Sequence, residues 1–588
     1  MSAVSLGAAP RSPAATQRNP APQSKPGPTL LHHYQRRAVA TAASAACVAL
    51  ALLSACTSKT VSSPAPAVIG SSTPASPSAA TSSTTAAASN PASSAASAAS
   101  PIASASNDGR NDPGAFATNL NWTDITSQLS AAVGDNKHTF SYAKATMQVP
   151  LNWADVTSKK ISITVLRIRS ASQKDRIGSL VINPGGPGGS GIEAALSLAV
   201  DELPQAILDR FDIVGFDPRG IGLSNPIQCI TDKQKDAELN LPADPKTAAQ
   251  WQAEIADATK VAQECYTEYG SDLTYYSTAE TARDMEALRA KLGDPKLTYL
   301  GYSYGTLIGA EYASAYPDKV RALVLDGAVD PTISSTDQDK TQAAGFQLAF
   351  SHFAASCTAK DSSCKLGSDP QQYVLNLMTK AAAHPIPSGD SADKRTADDG
   401  AVLLGVISAL YDETQWPDLI TALADANKGD ASGVLSLDDQ YNERNTDGTY
   451  TNLEDANATI GCADATQRPT VAQAQALQPV WRATNPLFGG SAASSLGFCS
   501  LWKAPADQPI TVANKGAAPI LVIGTTGDPA TPISGAQHLA ALLGSGRLLV
   551  WQGDGHTAYP KTTCVTNDVN SYLINLTLPP TGATCPAS

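Results

Sequence analysis

The chain has 588 residues, with 41 Lys and Arg against 53 Asp and Glu and a formal net charge of −12. An acidic excess of that size argues against nucleic-acid binding and needs no special partner to explain it. A 42% hydrophobic content and ten cysteines suit a folded protein of an oxidising compartment, longer than one ordinary domain.

The N-terminal region carries no fold signal but a clear address. Arg36 and Arg37 precede a run of small apolar residues, Ala38 to Leu53, which ends in Leu53-Ser54-Ala55-Cys56. A basic start, a short apolar stretch and a small-residue site describe an export signal, too short for a typical membrane span. Leu-Ser-Ala-Cys also resembles a bacterial lipobox, in which Cys56 receives the lipid and becomes the new N-terminus. Ordinary cleavage nearby is the alternative, and the paired arginines are a weak sign of a twin-arginine route. Thr57 to about Asn107 is almost entirely Ser, Ala, Thr and Pro. Such a stretch has too few large apolar groups to offset the entropy of ordering, so a disordered spacer is expected.

The first chemical signal follows a strand-like run, Ser179 to Asn183. It is the loop Pro184-Gly185-Gly186-Pro187-Gly188-Gly189-Ser190-Gly191. A loop of this kind exposes backbone N–H groups with no side chains in the way, as an oxyanion requires. A phosphate cradle is the rival, but no G-x-x-x-x-G-K-[ST] string occurs and two prolines remove donors. Asp217-Pro218-Arg219-Gly220 is a turn better suited to bracing that loop than to proton transfer.

The most informative stretch is Gly301-Tyr302-Ser303-Tyr304-Gly305, between the apolar run Leu297–Leu300 and a helix-like run, Thr306 to Tyr316. Strand, sharp turn and helix is the context in which α/β-hydrolases place a nucleophilic serine. Gly186 and the residue after the nucleophile, Tyr304, are the expected oxyanion donors, with Gly185 as a further choice. A strand at Val320–Leu325 closes this half of the core. About 175 residues rich in Ala, Leu, Gln and Asp then intervene, with helical periodicity at Val374–Ala383, Ala401–Tyr411 and Trp416–Ala426. They read as a helical lid over the C-terminal edge of the sheet, where ligands bind in open α/β folds.

The core resumes with a buried strand, Pro519 to Gly524, and Asp528 lies just past its end. The next strand, Arg547–Trp551, leads into Gly553-Asp554-Gly555-His556. Serine, then acid, then histidine is the α/β-hydrolase order, with the acid holding the imidazole in one tautomer. Asp554 is a rival acid, but it is too close in sequence to reach back to His556. His538 falls within a helical run. The predicted triad is therefore Ser303, Asp528 and His556.

Together, Asn183–Gly191, Asp217–Gly220 and Gly301–Thr306 resemble the secreted tripeptidyl aminopeptidases of actinobacteria, relatives of the prolyl aminopeptidases. Asp528-Pro529-Ala530-Thr531-Pro532 is similar to that family's acid-bearing loop, and Ile460-Gly461-Cys462-Ala463-Asp464 resembles its lid motif. The likeness runs from about Trp122 to about Cys585. Pro184 stands where prolyl aminopeptidases have histidine, which favours the tripeptidyl branch. The resemblance implies a lid that admits a short N-terminal stretch of substrate. A positive amine then needs a carboxylate at the closed end; Asp464 and Glu454 are the candidates, and the resemblance favours Asp464. It also puts Thr531 in the pocket beside the acid.

Setting aside Cys47 and Cys56, eight cysteines allow 105 pairings in principle. Sequence neighbours suggest Cys229–Cys265, Cys357–Cys364, Cys462–Cys499 and Cys564–Cys585. No C-x-x-C pair or Cys/His cluster suggests a metal, and no cofactor is expected. The resulting plan is an export signal over 1–55, a linker over 56–115, core over 116–328, lid over 329–504 and core over 505–588. It describes an α/β-hydrolase fold with a helical insertion, monomeric, exported, and reaching a membrane only through a lipid at Cys56. The expected activity is release of short peptides, tripeptides foremost, from free N-termini. An esterase or lipase using the same triad is the alternative, disfavoured by the lack of a long apolar stretch in the insertion. A non-catalytic surface-binding protein is the third class, and would have no need of all three triad residues.

Overall fold

Strand β4 (Gly178–Asn183) is buried along its whole length, as are β5 (Phe211–Phe216) and β6 (Leu297–Tyr302). Continuous burial is what strands covered on both faces require. Successive side chains point to opposite sides. Leu180, Ile182, Leu300, Val324, Leu521 and Ile523 thus enter one hydrophobic cluster, while Val181, Tyr299, Leu323, Leu325 and Val522 enter the other.

The computed structural model describes residues 119–133, 138–238, 241–359 and 364–588. The export signal, Cys47, Cys56 and the Ser/Ala/Pro/Thr linker lie outside the described residues. Ten strands form one sheet. Its first three are β1 (Thr123–Asp124), β2 (Phe140–Pro150) and β3 (Lys160–Ser170). After β6 come β7 (Val320–Asp326), β8 (Ile520–Gly527), β9 (Gly546–Asp554) and β10 (Ala583–Cys585). The spatial order is β1-β2-β3-β5-β4-β6-β7-β8-β9-β10. Pairing is antiparallel from β1 through β3 to β5, and parallel from β5 onward.

Helices cover both faces, as the parallel part demands. On one side lie α1 (Gly191–Ser197) and α8 (Thr563–Asn575), through Ile192, Val569 and Tyr572. On the other lie α2 (Thr278–Leu292) and α3 (Tyr304–Ala315), through Met285, Leu288, Ile308 and Tyr312. The interval between β7 and β8 holds the helical insertion. It includes α4 (Ser335–Ala359), α5 (Asp399–Leu410) and α6 (Leu453–Asp464), and α7 (Ile533–Leu543) follows β8. The periodic segments at 374–383 and 416–426 also lie in helices, Pro370–Ala383 and Trp416–Lys428.

The insertion has its own core, in which Phe346, Phe350, Phe353, Trp416 and Phe488 pack together. Each such ring contributes about 1.5–3 kcal/mol on burial. Helix α6 and the segment around Trp502 instead join the main core, through Ala456, Ile460, Cys462, Trp502 and Ala504. The bonds Cys229–Cys265, Cys357–Cys364, Cys462–Cys499 and Cys564–Cys585 are all formed, with Cα–Cα distances of 4.5 to 5.6 Å. All four are the pairs expected from sequence neighbours.

Candidate active site

Ser303 joins β6 to α3 with φ 53° and ψ −125°. A non-glycine residue in this region is strained, and the strain lifts the side chain off the sheet edge. The bend holds because Ser303 N–H donates to the Asp326 carbonyl at the end of β7 (2.9 Å). Its own carbonyl accepts from Thr306 N–H (2.9 Å) and Thr306 Oγ1 (2.6 Å). Although Ser303 is the N-cap of α3, its side chain makes no capping bond, which leaves Oγ for other chemistry.

Asp528 follows β8 and His556 follows β9, so adjacent parallel strands deliver acid and base to the same edge. His556 Nδ1 lies 2.8 and 3.0 Å from the two oxygens of Asp528. Those oxygens also accept N–H bonds from Ala530 (3.0 Å), Thr531 (2.8 Å) and Thr557 (3.3 Å). An acceptor-only carboxylate puts the imidazole proton on Nδ1, so Nε2 is left with a lone pair. That atom is buried and has no hydrogen-bond partner among the described residues. A histidine in this state can take a proton from a hydroxyl presented to it.

The glycine-rich loop lies directly against the elbow. A Cβ on Gly185 would fall 2.9 Å from Ser303 Cβ and 3.0 Å from Tyr304 N, so only glycine allows this approach. Gly185 N–H is engaged by Asn183 Oδ1 (3.0 Å), which removes Gly185 from the expected oxyanion donors. Gly186 N–H meets no acceptor among the described residues. Tyr304 N–H, the first of α3, has none within its helix. Asp217 is buried and accepts from Ser190 Oγ (2.6 Å), Ile192 N–H (3.2 Å) and Leu223 N–H (2.8 Å), and so braces the end of the loop. Burial raises its carboxyl pKa. Arg219 instead forms a buried two-point bridge to Asp284 at 2.7 and 2.8 Å.

The three remaining sequence candidates occupy different settings. Thr531 Oγ1 is 3.1 Å from Asp528 Oδ2 and 3.3 Å from His556 Nδ1, so its hydroxyl serves the acid–histidine pair. Asp464 accepts from Thr278 N–H (2.9 Å) and Thr278 Oγ1 (2.5 Å), at the first residue of α2. The same Thr278 hydroxyl is 2.5 Å from the Tyr304 hydroxyl. Burial pushes the Asp464 carboxyl up to about 7 against those bonds, and Asp507 adds to the rise. Glu454 makes no hydrogen bond or close ion pair among the described residues. Its neighbour Leu453 has its carbonyl 2.5 Å from where a Gly188 Cβ would lie, which sets the start of α6 on the oxyanion loop. Burial raises the Glu454 carboxyl; Lys235 opposes this and Asp455 adds to it.

Tyr411, at the end of α5, was not singled out by sequence. Its carbonyl accepts His556 N–H (2.8 Å), and its ring meets the His556 ring edge-on with centroids 5.3 Å apart. The Tyr441 ring lies tilted beside it, with centroids 6.2 Å apart, and burial raises the Tyr441 hydroxyl pKa with the Glu454 charge adding to the rise. The insertion therefore touches the histidine loop through Tyr411 and the oxyanion loop through Leu453.

Comparison with known proteins gives the family. A model described as alpha/beta hydrolase fold matches residues 178–394, and one described as TAP-like protein matches residues 485–585. Serine protease Hip1 of Mycobacterium tuberculosis is 40% identical over 441 residues, covering 71% of this chain and 82% of the relative. Carboxylesterase B of the same organism is 36% identical over 452 residues, covering 75% and 86%. Tripeptidyl aminopeptidase of Streptomyces coelicolor is 28% identical over 447 residues, covering 72% and 80%. With a mostly parallel sheet, a helical insertion and relatives at this identity and coverage, the chain is a serine hydrolase of the α/β-hydrolase fold and belongs to the TAP-like family.

Proposed function

We propose that this serine hydrolase is an exported exopeptidase that releases short peptides, tripeptides foremost, from free N-termini. The observation that carries the reading is the insertion's grip on both halves of the site, with Tyr411 on the histidine loop and Leu453 on the oxyanion loop. An insertion seated against both loops favours approach by a chain end over the middle of a folded protein.

In the proposed mechanism Ser303 Oγ attacks the scissile carbonyl carbon while His556 Nε2 takes its proton. Asp528 holds the ring and stabilises its positive charge. The carbonyl oxygen becomes an oxyanion and accepts from Gly186 and Tyr304 N–H. Collapse expels the amine of the shortened peptide, which receives the proton from His556. Water, deprotonated by His556, then attacks the acyl-enzyme, and Ser303 leaves with the proton returned to it. Thr531 steadies Asp528 during both halves.

For the substrate amine we favour Glu454 over Asp464. Both oxygens of Asp464 already accept from Thr278, whereas the Glu454 carboxylate has no such partner among the described residues and lies in the first turn of the helix seated on the oxyanion loop. An ammonium bonded to a carboxylate contributes about 1.5–3 kcal/mol. Export is supported by the apolar run before Cys56 and by the four disulfides, which persist in oxidising compartments. Lipidation of Cys56 belongs to the same proposal.

The deciding assay sets free-amine tripeptide substrates beside their N-acetylated forms and short-chain esters. Strong preference for the free amine is expected. Equal cleavage of blocked and free peptides would refute the exopeptidase reading, and preference for esters would favour the activity named for Carboxylesterase B.

A further inference from the structure

Asp326, the last residue of β7, is fully buried and faces two ways. Its main-chain carbonyl accepts the Ser303 N–H at 2.9 Å. Its carboxylate accepts Ala558 N–H at 3.0 and 3.1 Å and Tyr559 N–H at 2.7 Å, two and three residues beyond His556. One residue therefore ties the backbone of the serine elbow to the backbone of the histidine loop.

The next residue sets the height of the ring. A Cβ on Gly327, which has φ +68°, would lie 3.0 Å from His556 Cε1 and 3.1 Å from Thr531 Oγ1. His556 thus rests on bare main chain at the end of β7. The histidine loop is itself strained, since Thr557 has φ 61°, and a strained segment persists only where its surroundings over-determine it. The two N–H bonds to Asp326 are part of that constraint. Lys561 Nζ adds a bond to the His556 carbonyl at 2.8 Å, and Tyr302 OH adds one to the Tyr559 carbonyl at 3.3 Å.

Asp326 also carries charge close to the base. Burial raises its carboxyl to about 6, and the bonds from Tyr559 and Ala558 with the charges of Lys561 and His556 pull the other way. Tyr302 is also tied to it: burial raises that hydroxyl and the Asp326 charge adds to the rise. Asp528 already faces Nδ1, so Asp326 is a second anion in the field of the imidazole.

We propose that Asp326 is a positioning residue: its carboxylate sets the loop that presents His556 to Ser303 and stabilises the imidazolium formed when His556 takes the serine proton. The proposal rests on the triad reading given above. Asp528 holds Nδ1, and the Asp326 carboxylate bonds only to backbone N–H groups of the histidine loop.

Asp326→Asn tests it, because the side chain keeps its shape while losing charge and one acceptor. With active sites counted by fluorophosphonate titration, kcat per labelled site should fall roughly 10- to 100-fold with KM changed less than about twofold. The acid limb of the kcat/KM profile should move to lower pH by about half a unit to one unit, because removing an anion disfavours the charged imidazole. A purely structural role would lower the labelled fraction but leave kcat per site and the acid limb at wild-type values, and that result overturns the proposal. If the Asn variant does not fold, Asp326→Glu serves, since it keeps charge but displaces the loop. It should lower kcat with the acid limb unmoved, and wild-type kcat in that variant overturns the proposal equally. Ser303→Ala is run alongside: residual full activity there refutes the triad reading itself, whereas an inactive Ser303→Ala with a wild-type-like Asp326→Asn refutes only the role of Asp326.

Discussion

His556 donates its backbone N–H to the carbonyl of Tyr411, 2.8 Å away, so the helical insertion and the histidine loop share a hydrogen bond. The ring of Tyr411 stands edge-on to the imidazole as well. Movement of α5 is therefore felt at His556 before any substrate is touched. Tyr411→Ala keeps the backbone bond and removes the ring contact, worth about 0.5–1.5 kcal/mol. A fall in kcat of about 2- to 10-fold with normal folding is expected, read by steady-state kinetics and circular dichroism.

Ser303→Ala should leave almost no turnover while melting close to wild type, because its Oγ makes no capping bond that folding would miss. Asp528→Asn should cost about 10⁴-fold in kcat, since an amide facing Nδ1 favours the wrong tautomer. Loss of fluorophosphonate labelling at residue 303, followed by peptide mass spectrometry, checks the first. Rates measured with enzyme in excess check the second.

Glu454 and Asp464 are separable by kinetics. Glu454→Gln should raise KM for free-amine peptides roughly 10- to 100-fold, the equivalent of about 1.5–3 kcal/mol, and spare short esters. Asp464→Asn should change KM little, because its oxygens are engaged by Thr278. The reverse pattern would return the amine site to Asp464.

Asp464 should also leave a mark on stability against pH. Burial lifts its carboxyl to about 7 in the folded state, above its unfolded value, so the fold binds that proton more tightly than the open chain does. The associated stability is full below about pH 4 and is lost as pH rises through about 7. Asp464→Asn cannot ionise and escapes the loss. Its Tm should gain on wild type between pH 5 and pH 8, by about 1 °C for each kcal/mol in a folded chain of this length, as read by differential scanning fluorimetry.

The Arg219–Asp284 bridge gives a prediction about folding alone. Both side chains are fully buried, and Trp153 Nε1 adds a bond to Asp284 at 2.9 Å. Asp284→Asn would remove the two-point partner of a buried guanidinium, leaving Glu280 at 3.5 Å as its remaining anion, and should cost about 1.5–3 kcal/mol in urea unfolding.

How much of this was legible from sequence depends on whether a feature is local. Ser303, Asp528 and His556 stand at strand ends, and a strand followed by glycine or an acidic turn is readable within ten residues. The disulfides were legible because each joins cysteines at most 37 residues apart. Tyr411 was not, since it reads as the end of a helical run and meets His556 only by tertiary contact. Asp326 was hidden for the same reason: it reads as the last residue of a strand. The competition between Asn183 Oδ1 and an oxyanion for Gly185 N–H is a side-chain-to-backbone bond inside a loop, which no periodicity reports. The Thr531 hydroxyl turns toward Asp528 for a similarly local reason, one that composition does not reveal.

The pairing of β7 with β8 joins segments separated by about 190 residues, all of the insertion among them. Closing a connection of that length rather than one of about ten residues costs about 2–3 kcal/mol of chain entropy, a modest amount that the insertion's own core can offset. The order of assembly is affected more than the final balance. Ser303 and the oxyanion loop lie in the segment that emerges first from the ribosome, while Asp528 and His556 arrive only after the whole insertion has been made. On the proposed triad, a chain whose last strands have not docked would hold Ser303 with no base beside it, so activity would await completion of the sheet.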